Sequence, residues 1–242
     1  MNTFKLLFTA TIASMLFSCT NNDTTEPSKE EAATADTATS MQMTAPPEAP
    51  AFKPFDAMEI KHSVKDYDKW RPAFDADSTE RKASGIEKLV VARNMDKPND
   101  VYMAFEVSDI QKAKDFGAAP RLKEVMDKAG VSSKPAVSFV HVVRFNPEAK
   151  EKKWVIITHK VKDFDAWVKV FDAEGTAARA EQGLYDAVMA RDVNDPNMVT
   201  LVFDVKDVEK AKKSLMSEEK KKLMASAGVE GAPVVEFYNS VD

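Results

Sequence analysis

The sequence predicts an α+β protein in which one structural unit is written twice. Each unit runs β-α-β-β-α-β, and the two units close on one another within a single chain. Three observations predict this. Residues 62–75, HSVKDYDKWRPAFD, return at 159–172 as HKVKDFDAWVKVFD. The likeness then continues through RKASGIEKLVVARNMDKPNDVYMAFEVSD (81–109) and RAEQGLYDAVMARDVNDPNMVTLVFDVKD (179–207), and through LKEVMDKAGVSSKPAVSFV (122–140) and KKLMASAGVEGAPVVEFYN (221–239). Within each copy, β-branched apolar runs alternate with segments whose aromatic residues recur at helical spacing.

The elements follow in order. Residues 57–64 and 155–161 are apolar and β-branched, which predicts strands. Asp66 and Asp163 stand where a helix needs an N-cap. Behind them Tyr67, Trp70 and Phe74, and in the second copy Phe164, Trp167 and Phe171, fall at i, i+3 and i+7 on one helical face. Asp68 and Asp165 place negative charge in the first turn, where the helix dipole favours it. Gly85 and Gly183 can end the helix. Two strands follow in each copy, 86–93 with 101–107 and 184–191 with 199–205, joined by Lys97-Pro98-Asn99 and Asp195-Pro196-Asn197, which are turn residues. Asp109 and Asp207 cap a second helical region, expected to break near Pro120 and Ser217 and to end at Gly130 and Gly228. Last strands over 136–143 and 234–241 complete each copy. This order is that of a ferredoxin-like split βαβ sandwich. Helices should cover one sheet face, and the sister unit should cover the other. One residue is added in the second copy between Asp172 and Arg179, and residues 145–153 connect the copies.

The N-terminal segment reads differently. MNTFKLLFTATIASMLFSC has one lysine, then an apolar run from Leu6 to Phe17 too short to span a bilayer, the shape of a secretory signal. Residues 20–51 are rich in Thr, Ala, Pro and acids and poor in large apolar residues, so they are expected to form a tether without a core. The expected organisation is a signal over 1–18, an acylated Cys19 with a tether over 19–52, and repeats over 53–145 and 146–242. Cys19 is the only cysteine, which excludes intramolecular disulfides and cysteine-rich metal sites. A net charge of −5 argues against nucleic acid as a partner.

Two resemblances accompany these residues. Leu16-Phe17-Ser18-Cys19 resembles the lipobox of bacterial lipoproteins. That resemblance implies cleavage before Cys19, acylation of its sulfur, a bilayer as partner, and a place in the cell envelope. Thr20 rather than Asp after the cysteine inclines the expectation to the outer membrane. Each repeat resembles the dimeric α+β-barrel superfamily, which includes antibiotic-biosynthesis monooxygenase-like domains and stress-responsive barrel proteins. The features that carry this are V-K-D-[YF]-D-x-W at the start of the first helix, the glycine before strand two, the proline–asparagine hairpin and A-G-V-x-x-x-P before strand four. In that superfamily two subunits make a barrel; here the resemblance implies an internal pseudo-dimer, with further homo-oligomerisation left open.

The candidate polar groups are few. His62 and His159 occupy the same place late in strand one. His141 lies on strand four, beside strand one, so that His62 and His141 could approach one another. Imidazoles in a pocket can act as bases, ligands or hydrogen-bond partners. Arg93 and Arg191 end strand two, and Arg81 and Arg179 lie late in the first helix; a duplicated arginine near a barrel mouth could hold a carboxylate, or could pair with a nearby acid, as Arg179 with Asp172. The alternatives are a strand-end histidine bonded to backbone and a surface ion pair. No metal-ligand spacing, phosphate loop or nucleophile elbow is present, and no cofactor is called for. Three function classes stand open: a small-molecule or partner binder without turnover, sited in the barrel or its mouth; a cofactor-independent oxygenase or isomerase, as the second resemblance allows; and an interaction module with a filled barrel. Whether the chain is an enzyme is undecided at this level.

Overall fold

A computed structural model describes residues 52–242; the expected signal, Cys19 and nearly all of the tether lie outside the described residues. The first repeat comprises β1 (Phe55–Ser63), α1 (Tyr67–Ala76), α2 (Ser78–Ala83), β2 (Ile86–Asn94), β3 (Asp100–Val107), α3 (Ile110–Ala118), α4 (Pro120–Ala129) and β4 (Ala136–Phe145). The second comprises β5 (Lys153–Val161), α5 (Phe164–Glu174), α6 (Thr176–Glu181), β6 (Tyr185–Asp192), β7 (Met198–Asp204), α7 (Val208–Leu215), α8 (Glu218–Ser226) and β8 (Val229–Ser240).

The expected caps are formed. Asp66 accepts from the backbone N–H groups of Asp68 and Lys69, and Asp163 from that of Ala166 at 2.7 Å. Asp109 and Asp207 do the same for α3 and α7. Each cap satisfies N–H groups that the helix itself cannot. Trp70 stacks on Phe74 and Trp167 on Phe171, with ring centroids 4.9 and 5.3 Å apart, as i, i+4 neighbours on a helix face should. Gly85 ends its helical region at φ 71°, a left-handed conformation that a side chain would resist, and an added Cβ would lie 2.1 Å from Ser108 Oγ. The first helical region of each copy is two helices rather than one. The break falls at Asp77 in the first copy and at Gly175, with φ 81°, in the second.

Among the described residues, all eight strands are antiparallel to their neighbours and form one closed barrel in the order β1-β3-β2-β8-β5-β7-β6-β4. The two four-stranded sheets therefore join edge to edge at two seams, β2 with β8 and β4 with β6. The seams are related by the internal two-fold. Met95 N–H donates to Phe237 O at 2.8 Å, and at the other seam Val193 N–H donates to Phe139 O at 2.9 Å. Closure removes the unpaired strand edges that four-stranded sheets would otherwise expose.

Alternation along the strands separates two environments. Met58, Ile60 and His62 of β1 face the helices, as do Met103 and Phe105 of β3, and each repeat has its own core there. Ala57 and Glu59 of β1, Tyr102 and Ala104 of β3, and Trp154 and Ile156 of β5 face the barrel interior, where smaller clusters form.

Candidate functional site: a cavity that only one repeat keeps open

The two repeats differ most where sheet meets helices. In the first, a cavity of about 560 Å³ lies between β1, β3 and β4 and the helices α1 to α4. In the second, the corresponding space is about 50 Å³. The larger one falls within the range of small-molecule pockets.

Aligned side chains explain the difference. The α3 sequence DIQKAKDFG matches the α7 sequence DVEKAKKSL, so Gly117 stands where the second repeat has Leu215. Leu215 is buried in the second core, whereas nothing lies within 4 Å of a Cβ built on Gly117. Val125 likewise replaces Leu223, and both line their cavities. The missing side chains leave a space floored by Met58, Ile60, Met103 and Phe139 and walled by Trp70 and Phe74.

The polar groups differ too. In the second repeat, buried Arg179 is fully engaged. Its Nε and Nη2 reach Asp186 at 2.7 and 2.5 Å, its Nη1 donates to Phe171 O at 2.6 Å, and Glu174, which also takes Lys220, stands 3.8 Å away. Its counterpart Arg81 borders the open cavity and donates to Phe74 O at 2.7 Å, with its guanidinium over the Phe74 ring at 4.0 Å. Lys88 replaces Asp186, so no bidentate carboxylate is present at that position. The acid that stands nearby, Asp77, is 4.0 Å away and is taken by Arg121 at 2.7 Å. Burial pushes the Arg81 guanidinium below its ordinary pKa, an opposing pull from Asp77 notwithstanding. Lys114, from α3, also borders the space. A buried arginine without a full carboxylate partner, at the edge of an apolar cavity, is suited to an anionic group.

The sequence-derived candidates fall in several places. His62 and His159 do not face the barrel; both point to the helix side and meet Trp70 and Trp167 edge-on, with centroids 5.6 and 5.4 Å apart. Neither ring nitrogen of either histidine has a hydrogen-bond partner, and burial lowers both pKa values to about 4. His62 lines the large cavity and His159 the small one. His141 does not approach His62. It pairs in register with Asp56, at the opposite end of β1, and its exposed Nδ1 lies 2.7 Å from Asp56 Oδ1. Antiparallel pairing runs β4 backwards along β1, which separates the two histidines.

Arg93 and Arg191 brace their hairpins rather than a barrel mouth. Their Nε groups donate to Pro98 O at 2.6 Å and Pro196 O at 2.7 Å, and their guanidinium planes lie over Tyr67 and Phe164. Neither lines either helix-side cavity. Asp172 pairs with Arg144 from β4 rather than with Arg179. Among the described residues there is no cluster of potential metal ligands.

Sequence reasoning missed Lys114 and Gly117, and did not tell Arg81 from its paired sister Arg179. The signal for Gly117 and Arg81 lay in the differences between the aligned copies: glycine opposite leucine, and lysine opposite the aspartate that engages Arg179.

No protein-family model matches the chain, and no curated protein matches it. Solved structures do. An anthrone oxidase-like protein is 12% identical, with a TM-score of 0.52 covering 78% of this chain and 92% of that one. A heme-binding protein from Thermus thermophilus is 12% identical, with a TM-score of 0.50 and the same coverage. A ferredoxin-fold protein related to antibiotic biosynthesis monooxygenases, from Listeria monocytogenes, is 10% identical, with a TM-score of 0.45 covering 79% and 97%. The chain has the fold of the dimeric α+β barrels, with both halves on one polypeptide. At these identities the likeness speaks for fold alone.

Proposed function

We propose that this is a lipid-anchored envelope protein that binds a small apolar molecule bearing an anionic group, without turnover, in the helix-side cavity of its first repeat. One observation carries the reading: the same scaffold is filled in one repeat and open in the other. A duplicated unit provides its own comparison. Leu215 and the Asp186–Arg179 pair show how this fold closes the space, and Gly117 and Lys88 remove both devices together. The apolar body of the ligand would lie on Met103 and Phe139, and its carboxylate would meet Arg81 and Lys114. His62 would offer a neutral imidazole at the cavity floor. The heme-binding function named for one structural neighbour makes a porphyrin acid one member of this ligand class. The lipobox resemblance at Cys19 supports the anchor.

The test is a titration of the full chain with 2-naphthoate, decanoate and haemin, read by thermal shift and tryptophan fluorescence. Saturable binding of at least one acid, weakened tenfold or more by Arg81→Met, is the expected result. Failure of all three acids to bind, or equal binding of the matching neutral alcohols, would overturn the reading. Consumption of the ligand would replace it with the enzymatic alternative. Incorporation of labelled fatty acid that survives Cys19→Ala would remove the anchor.

A further inference from the structure

A second cavity, of about 440 Å³, lies inside the barrel itself, and the function proposed above makes no use of it. Its existence again follows from divergence between the repeats. Ala57 stands opposite Trp154 in the aligned copies, Val140 opposite Tyr238, and Ala104 opposite Val202. The second repeat fills its part of the interior with the Trp154 and Tyr238 rings, which pack with Tyr102 at centroid distances of 6.2 and 5.4 Å. At those three places the first repeat has alanine or valine, and space remains beside Tyr102. Leu89 and Phe145, both exposed, border the cavity.

Among the carboxyl groups that line the cavity, Glu59 stands on β1 beside Ala57, at a position where the second repeat has Ile156; Glu151 and Asp204 line it as well. Tyr102 donates its hydroxyl to Glu59 Oε1 at 2.8 Å, and Ser138 donates to Oε2 at 3.3 Å. Two donors leave a carboxylate with lone pairs for a third. The charges acting on it are those of Lys61 on its own strand and Asp192 on β6, and Lys150, Glu151, Lys152 and Asp204 also line the cavity. Lys61 is already paired with Glu236. Among the described residues, the hydrogen-bond donors to the Glu59 carboxyl are therefore two neutral hydroxyls, and no ammonium or guanidinium is bonded to it. Burial raises the Glu59 pKa above its ordinary value, so the group gains most from a partner that keeps it ionised.

We propose that the barrel interior is a second binding site, for an elongated apolar amine whose protonated head is held by Glu59. The ammonium would donate to the free lone pairs of Glu59 beside the aromatic faces of Tyr102 and Trp154, both favourable for a cation in a low-dielectric space. Its apolar tail would run along Ala57, Val140 and Val142 towards Phe145. The site is separate in location and opposite in charge preference from the helix-side cavity, so it stands whether or not that cavity takes acids.

The test uses the full chain carrying Cys19→Ala, titrated with octylamine, octanol and octanoate by calorimetry at pH 7. Octylamine should bind at least tenfold more tightly than octanol, without displacement by octanoate. Glu59→Gln, which keeps the shape, should remove that advantage. Ala57→Leu, which narrows the cavity and keeps the charge, should weaken octylamine tenfold or more. Equal affinity for octylamine and octanol, or an amine preference that survives in folded Glu59→Gln, would overturn the proposal. Should Glu59→Gln fail to fold, undiminished octylamine binding by folded Ala57→Leu would overturn it alone.

Discussion

Replacing Gly117 with leucine should make the first repeat resemble the second. Glycine inside a helix is less favourable than alanine or leucine by about 1 kcal/mol. Gly117 lies in the final turn of α3 with open space where its Cβ would be, so the new side chain meets no obstruction at its root. Burying a leucine contributes about 1.5–3 kcal/mol, less about 0.5–1 kcal/mol of lost rotamer freedom. Gly117→Leu should therefore raise stability by about 2 kcal/mol, which for a body of this size moves Tm up by roughly 4–8 °C. Gly117→Ala should deliver the propensity part alone, about 1 kcal/mol. Thermal unfolding by circular dichroism measures both, and titration with 2-naphthoate reads the cavity. Leucine should stabilise and block; alanine should stabilise and leave binding within a factor of about three. A leucine variant less stable than the parent, or one that binds the acid as before, would refute the reasoning, because the cavity would then not be the space that Leu215 fills in the sister repeat.

Two further outcomes follow from buried charge. His62 and His159 titrate near 4 when folded and near 6.5 when unfolded, because burial without a hydrogen-bond partner disfavours the imidazolium. The unfolded chain therefore binds more protons between those values, and stability is complete above about pH 6.5 and falls as pH drops towards 4. From pH 7 to pH 5 the loss should be about 2 kcal/mol per histidine. Urea unfolding should show it, and His159→Leu should remove close to half of this slope; a stability unchanged between those pH values would contradict the burial argument. Arg179→Met should cost about 3–5 kcal/mol in the same assay, since it strands Asp186 and leaves Glu174 to Lys220 alone among cations. Arg81→Met should cost far less, having only a distant acid to strand, and equal costs would deny the asymmetry between the repeats.

Much of the fold is legible in the residues because local chemistry and global architecture agree. Asp66, Asp109, Asp163 and Asp207 cap the helices expected of them, and the aromatic spacing in HSVKDYDKWRPAF and its copy marks the buried helix face. The Asp77 break is less legible, since nothing in ADSTERK forbids a continuous helix. The sites are less legible still. A period of two shows that Met58, Ile60 and His62 share a face, and that Ala57 and Glu59 share the other. It does not show which face meets helices. The tertiary answer sends both duplicated histidines away from the barrel. Arg93 and Arg191 carried a duplicated signal, but the duplication preserves a hairpin brace, a structural need that both copies share. Glu59 and Gly117 carried no duplicated signal; theirs lay in the mismatch with Ile156 and Leu215 of the sister repeat.

Duplication of a self-complementary unit separates two demands that a homodimer must meet with one set of residues. In a symmetric pair, a leucine that closes one helix-side space closes both, and an alanine that opens one side of the barrel opens the other. Here the second repeat keeps Leu215, Trp154, Tyr238 and the Arg179–Asp186 pair, all of which fill or pair. The first repeat carries Gly117, Ala57, Val140 and Lys88 at the matching places. These stabilising devices are then gathered in one half; the larger helix-side cavity lies within the other, and the barrel cavity is shared by both. The two seams couple the halves, so packing in the second repeat can support open space in the first. Residues identical in both repeats accordingly report on the scaffold. Residues that differ in size or charge at matched positions report on binding, and that contrast is the physical basis for assigning to ligands both Glu59, which stands opposite Ile156, and Arg81, whose sister Arg179 has its carboxylate partner Asp186 where the first repeat has Lys88.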